Sequence, residues 1–275
     1  MEPVPTSFHV GPFEFHTYGL GLAIAAYVAF LYGERRFAAR GLDRSKFGRF
    51  TVWLLVLGLV GARLAHVATN WSTYSGDLLR VVAVWQGGLA SFGALAVTVP
   101  AGYLLARRYW PSVRALAVVD ALVPVLIAGW ALGRVLGPQF MVAGGGHMTS
   151  QWFGLSYAGQ VGKRVPVPII QSLEDGTLWA ALVTLERRTH RRLPVGLVAG
   201  IGCIVWGLCR FVDEALLLGQ GSNAGSIAVE AASLLLVAIG VAVVIVALRT
   251  RERAAADMGE VAPKALSAPP SDVNH

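Results

Sequence analysis

Long apolar segments dominate this chain and constrain its fold more than any other feature of the sequence. They fall at about 17–33, 50–67, 81–106, 115–136, 169–185, 195–218 and 226–248. A helix of roughly 20 apolar residues is long enough to cross the hydrocarbon core of a bilayer. Charged residues make up only 14% of the chain, against roughly 25% in typical soluble domains. We therefore predict an all-α integral membrane protein, a bundle of about seven transmembrane helices.

The sequence divides into a membrane domain and a polar tail. Residues 1–253 contain all the apolar segments, whereas residues 254–275 are polar and rich in Ala, Pro and Ser. A segment with so little apolar surface cannot form a core, so we predict that this tail is disordered. The first apolar segment is not expected to be a signal peptide, because residues 1–16 contain no Lys or Arg.

Basic residues alternate between the loops and predict the orientation in the membrane. On one side of the membrane they are Arg35, Arg36, Arg40, Arg44, Lys46, Arg49, Arg107, Arg108, Arg114, Arg187, Arg188, Arg191, Arg192, Arg249, Arg251 and Arg253. The opposite loops hold only Arg80, Lys163 and Arg164. By the positive-inside rule, the N-terminus lies outside and the C-terminus inside. The net charge of +7 therefore faces anionic lipid and does not indicate a nucleic-acid partner.

Ionisable residues within the apolar segments are the strongest indication of a functional site. A charge at the bilayer centre costs about 2.5–3.5 kcal/mol on insertion scales, so such residues are functional candidates. Arg63, Arg134 and Arg210 lie on the second, fourth and sixth segments, each in the predicted outer half of the bilayer. The carboxylates near the same leaflet are Glu174, Asp175, Asp213, Glu214 and Glu230, while Asp120 lies toward the inner side.

Two interpretations of these residues are open. Arg–carboxylate pairs can join neighbouring helices as structural contacts. Alternatively, three arginines on three helices at one depth can form a pocket for an anion, because the planar guanidinium suits phosphate oxygens. We favour the second interpretation for the cluster as a whole. An anion at this depth is most simply a phospholipid head group.

Several short motifs, taken in order, resemble the prolipoprotein diacylglyceryl transferase family over about residues 8–235. They are HVGPF at 9–13, YGL at 18–20, GARL at 61–64, WQGGLASFG at 85–93, GR at 133–134, WFG at 152–154 with Tyr157, PVP at 166–168 with Gln171 and Glu174, and WG at 206–207 with Arg210, Phe211 and Glu214. Each motif is weak alone. Their order, spacing and topology together are specific.

The sequence also departs from the family pattern. Phe92 stands where the family commonly has a His that is treated as the general base. The segment after Arg134 lacks the usual Asn–Gly pair, and Gln139 is its nearest amide. The His-Pro-x-Gln-Leu-Tyr-Glu element has lost its His and Tyr in 168–174, and Glu230 replaces a Gln of the last helix. We therefore expect a divergent member.

The resemblance implies a lipid-transfer reaction in the bacterial cytoplasmic membrane. The diacylglyceryl group of phosphatidylglycerol would move to the lipobox cysteine of a prolipoprotein, giving a thioether and glycerol phosphate. The implied partners are phosphatidylglycerol, the prolipoprotein signal peptide with its lipobox, and the bilayer, with the active site facing the outer leaflet. No cofactor or metal is implied. Because the nucleophile belongs to the substrate, Cys203 and Cys209 are interpreted as small core residues.

The same resemblance suggests roles for individual residues. Arg134 and Arg210 are predicted to hold the phosphate of the head group. Glu214 is predicted to orient Arg210, with Glu174 as the competing partner. Arg63 is either a third phosphate clamp or a helix staple. The remaining predicted substrate-binding residues are Tyr18, Gly133, Glu174 and Gln171, and for Tyr18 a place in the interfacial aromatic belt is an equal alternative.

The proton acceptor and the function class stay open in the sequence. His66 lies one turn from Arg63 and is a candidate acceptor for the thiol proton, whereas His147 is interpreted as a solvated loop residue. Because Phe92 cannot take a proton, a non-catalytic lipid-binding paralogue is the alternative function. A transporter is disfavoured, since transporters place their charges near the midplane of the membrane.

Overall fold

Helices occupy the apolar segments in a computed structural model, which describes residues 6–11, 13–83, 88, 90–189, 193–214 and 224–266. The helices are α1 Thr17–Ala39, α2 Arg44–Thr69, α3 Trp71–Tyr74, α4 Ser91–Tyr109, α5 Ala115–Leu136, α6 Val167–Arg188, α7 Leu197–Val212 and α8 Ala224–Leu266. Two antiparallel hairpins complete the described part, β1 Ser7–Val10 with β2 Phe13–His16, and β3 Leu155–Ser156 with β4 Lys163–Arg164.

Three helical stretches are long and apolar enough to cross a membrane, judged by length and composition alone. They are Arg44–Thr69, Ala115–Phe140 and Ser226–Glu252, and α7 is a shorter apolar helix. Many large apolar side chains of α2 and α8 are exposed on the surface, as expected where lipid replaces water. The structure thus agrees with the predicted all-α membrane protein, while the count of seven spans stays a prediction.

The third apolar segment is helical over a shorter range than its sequence indicates. The apolar run begins near residue 81, but α4 begins only at Ser91. A 3₁₀ turn, Leu78–Val81, lies at the start of the run, and Gly88, three residues before α4, has a φ of 75°. This left-handed conformation cannot continue a right-handed helix.

The last helix continues past the predicted boundary of the membrane domain. α8 runs to Leu266, so part of the stretch that the sequence predicts to be disordered is helical in the structure. Residues 267–275 lie outside the described residues. The division into a membrane domain of 1–253 and a disordered tail of 254–275 stays a prediction.

Close contacts between backbones set the positions of the longest helices. A Cβ added to Gly21 of α1 would lie 1.7 Å from the carbonyl oxygen of Leu136, at the end of α5. A Cβ added to Gly200 of α7 would lie 2.9 Å from the carbonyl oxygen of Gly240 in α8. Small residues allow helices in a bilayer to approach this closely. The first contact lies near Arg134, whereas Gly200 lies near the start of α7; closer to Arg210, a Cβ added to Gly207 would lie 2.8 Å from the carbonyl oxygen of Ser233 in α8.

A buried carboxylate fixes the other end of α7. Asp120 of α5 accepts hydrogen bonds from the backbone N–H groups of Gly196, at 2.6 Å, and Ala199, at 2.8 Å. The first N–H groups of a helix have no partner within the helix, and here a neighbouring helix supplies one. Beside it, Arg36 donates to both oxygens of Glu186 at 2.9 and 2.7 Å. The start of α7 is therefore held against α5 by hydrogen bonds to Asp120.

Candidate active site

The structure brings Arg134 and Arg210 together through a pair of tryptophans. Each arginine lies in the last turn of its helix, where the carbonyl end favours a cation. The guanidinium carbon of Arg134 is 5.0 Å from the ring centre of Trp130, and that of Arg210 is 5.6 Å from the ring of Trp206. The two indoles meet edge to face at 5.4 Å. Residues four apart share one face of a helix, so each Trp supports its own arginine.

Three carboxylates surround one terminal nitrogen of Arg210. Its Nη2 is 3.0 Å from Asp213, 3.4 Å from Glu174 and 3.5 Å from Asp175. The side-chain amide of Gln171 donates to Asp213 Oδ2 at 3.0 Å, the same oxygen that contacts Arg210. The predicted residues Glu174 and Gln171 of α6 therefore join Arg210 in one polar cluster between α6 and α7.

The structure corrects the predicted role of Glu214. The ion pairs of Arg210 are with Glu174, Asp175 and Asp213, and none with Glu214 is seen within the described part of the chain. α7 ends at Val212 and the chain continues in a wider π turn, which directs Asp213 toward the guanidinium. Glu174, the competing partner in the sequence, is the one that the structure pairs with Arg210.

Arg134 differs from Arg210 in having no carboxylate in contact. No ion pair within 4.0 Å joins it to any described residue, and its buried Nε has no hydrogen-bond partner among them. It interacts electrostatically over a longer distance with Asp175, Asp213 and Tyr18. Arg134 therefore keeps hydrogen-bond donors for another group, whereas Arg210 is held by protein carboxylates.

Two further predicted residues lie on the α1 side of Arg134. Tyr18, in the first turn of α1, is 37% exposed. This exposure is compatible with both predicted roles of Tyr18, as a ligand of the lipid head group or as an interfacial aromatic residue. Gly133 faces α1, because an added Cβ would lie 3.7 Å from the Leu22 side chain. This position makes Gly133 a packing contact beside the arginine.

Arg63 lies outside this cluster and holds a loop. Its Nε donates to the carbonyl of Val81 at 2.9 Å, Nη1 to Gly88 at 2.9 Å, and Nη2 to Ala83 at 3.3 Å and to Arg80. One guanidinium thus binds four backbone carbonyls of the segment between α3 and α4. This geometry favours a structural role for Arg63 over a role as a third phosphate ligand. Arg63 joins α2 to the segment before α4, however, and not to a second helix.

His66 belongs to the same loop region as Arg63. Its ring meets Tyr74 edge to face at 6.0 Å, and an added Cβ at Gly88 would lie 2.7 Å from its Nε2. Its helix, α2, packs mainly against α4 and α1, whereas the arginine cluster is built by α5, α6 and α7. The structure therefore does not place His66 with the cluster. The side chain of Phe92 and residues 84–87 lie outside the described residues.

A buried hydrogen bond organises the segment between α5 and α6. The Tyr157 hydroxyl donates to the Gln139 side chain at 2.7 Å, and both residues are buried. Burial raises the pKa of Tyr157 to about 12, so the hydroxyl stays protonated and remains a donor. Gln139, noted as the nearest amide to the missing Asn, is therefore engaged in holding the loop. His147 is exposed, as predicted for a solvated loop residue.

Sequence reasoning missed the tryptophan that supports Arg134. Trp130 looks like one more apolar residue of α5, although its spacing of four from Arg134 repeats the spacing of Trp206 from Arg210. This repeated Trp–Arg spacing is the sequence feature that could have identified Trp130. The sequence predicts Asp175 and Asp213 to lie near the outer leaflet but does not assign them to Arg210.

Comparison with known proteins supports the resemblance found in the sequence. The family model described as prolipoprotein diacylglyceryl transferase matches residues 5–246. The chain is 30% identical to a phosphatidylglycerol–prolipoprotein diacylglyceryl transferase of Mycobacteroides abscessus, over 91% of this chain and 79% of that protein.

Proteins of the same name in two other organisms match over shorter ranges. The identity is 34% to that of Rhodococcus jostii, over 49% of this chain and 38% of that protein. It is 34% to that of Cutibacterium acnes, over 56% of this chain and 52% of that protein. The family match and the full-length relative together are decisive: the chain belongs to the prolipoprotein diacylglyceryl transferase family.

Proposed function

We infer that this chain is a transferase that moves the diacylglyceryl group of phosphatidylglycerol to the cysteine thiol of a prolipoprotein. Its relatives carry the name of this activity over up to 91% of the chain, and the family match spans the whole arginine cluster. These similarities favour the enzyme over a non-catalytic lipid-binding paralogue.

Unused donors of the two arginines carry this proposal. Arg134 Nε, Arg210 Nε and Arg210 Nη1 are buried without a hydrogen-bond partner among the described residues. Buried polar atoms nearly always have partners, and an anionic phosphodiester would supply acceptors for all three. The carboxylates hold Arg210 through Nη2 alone, which leaves the rest of its fork for the substrate.

The reaction follows from this arrangement. The thiolate of the lipobox cysteine attacks the carbon of the diacylglyceryl group that carries the phosphate. An S–C bond forms there, and the C–O bond between that carbon and the phosphate breaks. The electron pair of that bond stays on the phosphate oxygen of the leaving glycerol phosphate. Donors already directed at that oxygen stabilise the charge as it develops, without reorganisation. Arg134 supplies this stabilisation most directly, because none of the carboxylates in the described part of the chain is in contact with it.

The membrane placement belongs to the same proposal. The N-terminus lies outside, the C-terminus inside, and the arginine cluster opens to the outer leaflet of the bacterial cytoplasmic membrane. The distribution of Lys and Arg among the loops supports this orientation. A lipobox, presented at the outer end of a signal peptide, would then meet the head group at the same depth.

Cysteine labelling tests the orientation. On a background with Cys203 and Cys209 replaced by Ala, His147→Cys should react with an impermeant maleimide in intact spheroplasts. Arg188→Cys should react only after permeabilisation, because it follows the inner end of α6. Both positions are exposed, so accessibility within the protein does not bias the result. The reverse pattern would contradict the orientation and the outer-leaflet site together.

The activity itself is tested with the purified chain in phosphatidylglycerol liposomes. A lipobox peptide should gain the mass of one diacylglyceryl group, and glycerol phosphate should appear in equal amount. A peptide with Ser in place of the lipobox Cys, and liposomes without phosphatidylglycerol, should give no product. If the chain binds these liposomes but modifies no peptide, it is the non-catalytic paralogue.

A further inference from the structure

The reaction needs a proton acceptor that the sequence does not identify. A cysteine thiol has a pKa of about 8.5, so most of it is protonated at neutral pH. By resemblance, Phe92 stands where the family commonly has a His that is treated as the general base, and a phenyl ring cannot accept a proton. We propose that Glu174 is the group that takes the proton of the substrate thiol. This inference rests on the proposed function.

Exposure distinguishes Glu174 from the other carboxylates of the cluster. The side chains of Asp175 and Asp213 are 1% and 2% exposed, whereas that of Glu174 is 32% exposed. A partly exposed carboxylate within an apolar helical bundle is costly and marks a functional position. Of the three carboxylates around Arg210, only Glu174 can be reached by a substrate without displacing protein.

Bonding within the cluster leads to the same residue. Asp213 is the nearest carboxylate to Arg210, at 3.0 Å, and also accepts from Gln171. Glu174 makes a looser contact with Arg210, at 3.4 Å. Asp175 Oδ2 and Asp213 Oδ1 also have no hydrogen-bond partner among the described residues, but both atoms are buried, so the acceptor capacity of Glu174 is the one that a substrate can reach.

Charge balance favours proton uptake at this position. Three carboxylates lie within 4.0 Å of Arg210, and Arg134 adds a second positive charge at longer range. The described cluster therefore has one negative charge in excess, and the phosphate of a bound lipid adds another. A proton delivered by the thiol relieves this repulsion. The most exposed carboxylate can accept it with the least rearrangement.

The location of Glu174 suits the transfer step. Arg210 contacts Glu174 directly. It also stacks on Trp206, which packs against Trp130, and Arg134 stacks on Trp130. A phosphate held by the two arginines would place its glyceryl carbon beside the Glu174 carboxylate. The S–H bond breaks, its proton moves to Glu174, and the sulfur electron pair forms the S–C bond. The proton then passes to the released phosphate monoester.

A selenocysteine peptide separates proton transfer from every other role of Glu174. A selenol is already ionised at neutral pH and needs no base. Glu174→Gln should lose a factor of about 10² to 10⁴ with the cysteine peptide and less than about tenfold with the selenocysteine peptide. Glu174→Asp should recover part of the cysteine activity, since it keeps a carboxylate. Glu34→Gln is the matched control, because Glu34 also pairs with an arginine, Arg44, but away from the site.

The outcomes distinguish this inference from the proposed function. An equal loss with both peptides would mean that Glu174 only holds Arg210, and unchanged activity with the cysteine peptide would exclude any role as base. A selective loss in His66→Gln would assign the proton to His66 instead. A parent chain inactive on both peptides would overturn the proposed function, and this inference with it.

The pH profile of the parent chain provides a second measurement that does not depend on a variant folding. With the cysteine peptide, kcat/KM should fall on the acid side as the acceptor becomes protonated. With the selenocysteine peptide, that acid limb should be absent over the range in which the selenol stays ionised. The same acid limb with both peptides would contradict the assignment of the acceptor role.

Discussion

Arg134→Gln is expected to lower the rate of lipobox modification about tenfold to a few hundredfold in a protein that still folds. A charge-assisted hydrogen bond is worth about 1.5–3 kcal/mol, and each 1.4 kcal/mol or so is a factor of ten in rate. The fold should survive because no described carboxylate is in contact with Arg134. Arg134→Lys keeps the charge but not the planar fork, so its rate should fall between those of the parent and Arg134→Gln.

The measurement is the initial rate in phosphatidylglycerol liposomes, compared at equal amounts of monodisperse protein. Arg107→Gln is the matched control, because Arg107 is an exposed arginine near the end of α4 that stacks on Tyr103. It should keep the parent rate. An Arg134→Gln protein that works at the parent rate would exclude Arg134 from the phosphate site.

Arg210→Gln is expected to do more damage, and to the fold itself. Removing this guanidinium leaves Glu174, Asp175 and Asp213 without their shared cation, two of them almost fully buried. Breaking a buried ion pair in this way costs about 3–5 kcal/mol. The variant should therefore accumulate poorly, aggregate on purification or melt well below the parent chain.

A second experiment neutralises the two buried carboxylate partners of Arg210. The triple variant Arg210→Gln, Asp175→Asn, Asp213→Asn removes the uncompensated charges together with the arginine. It should recover most of the lost yield and thermal stability but none of the activity. A single Arg210→Gln protein with the stability of the parent would show that the cluster does not depend on this ion pair. A triple variant that regains activity would remove Arg210 from catalysis.

The contrast between these two arginines could not be predicted from the sequence. Both lie within an apolar segment, both follow a Trp at a spacing of four, and both lie in segments that resemble the family. What separates them is contact with α6, whose Glu174 and Asp175 lie about 36 positions before Arg210 in the chain. Hydrophobic periodicity locates helices but does not determine which faces meet.

The positions of the helices were predictable, because every backbone polar group in lipid needs a hydrogen-bond partner within the protein, and this leaves few alternatives to a helix. α1, α5 and α6 begin or end within a few residues of the predicted apolar segments. The start of α4 was not predictable. An apolar run from residue 81 looks like continuous helix, whereas Arg63 binds the carbonyls of Val81, Ala83 and Gly88 there. These bonds come from an arginine on another helix, which hydropathy does not reveal.

The contact between α7 and α8 has a consequence for how this protein can evolve. Gly200 and Gly240 meet backbone to backbone, with no room for a Cβ at either position. Ala at either position would force the two helices apart near the start of α7. Because Arg210 follows about three turns later on the same helix, we expect such a change to disturb its contacts with Glu174 and Asp175 of α6. Substitutions at Gly200 and Gly240 are therefore expected to depend on each other, whereas the lipid-facing positions of both helices are expected to vary independently.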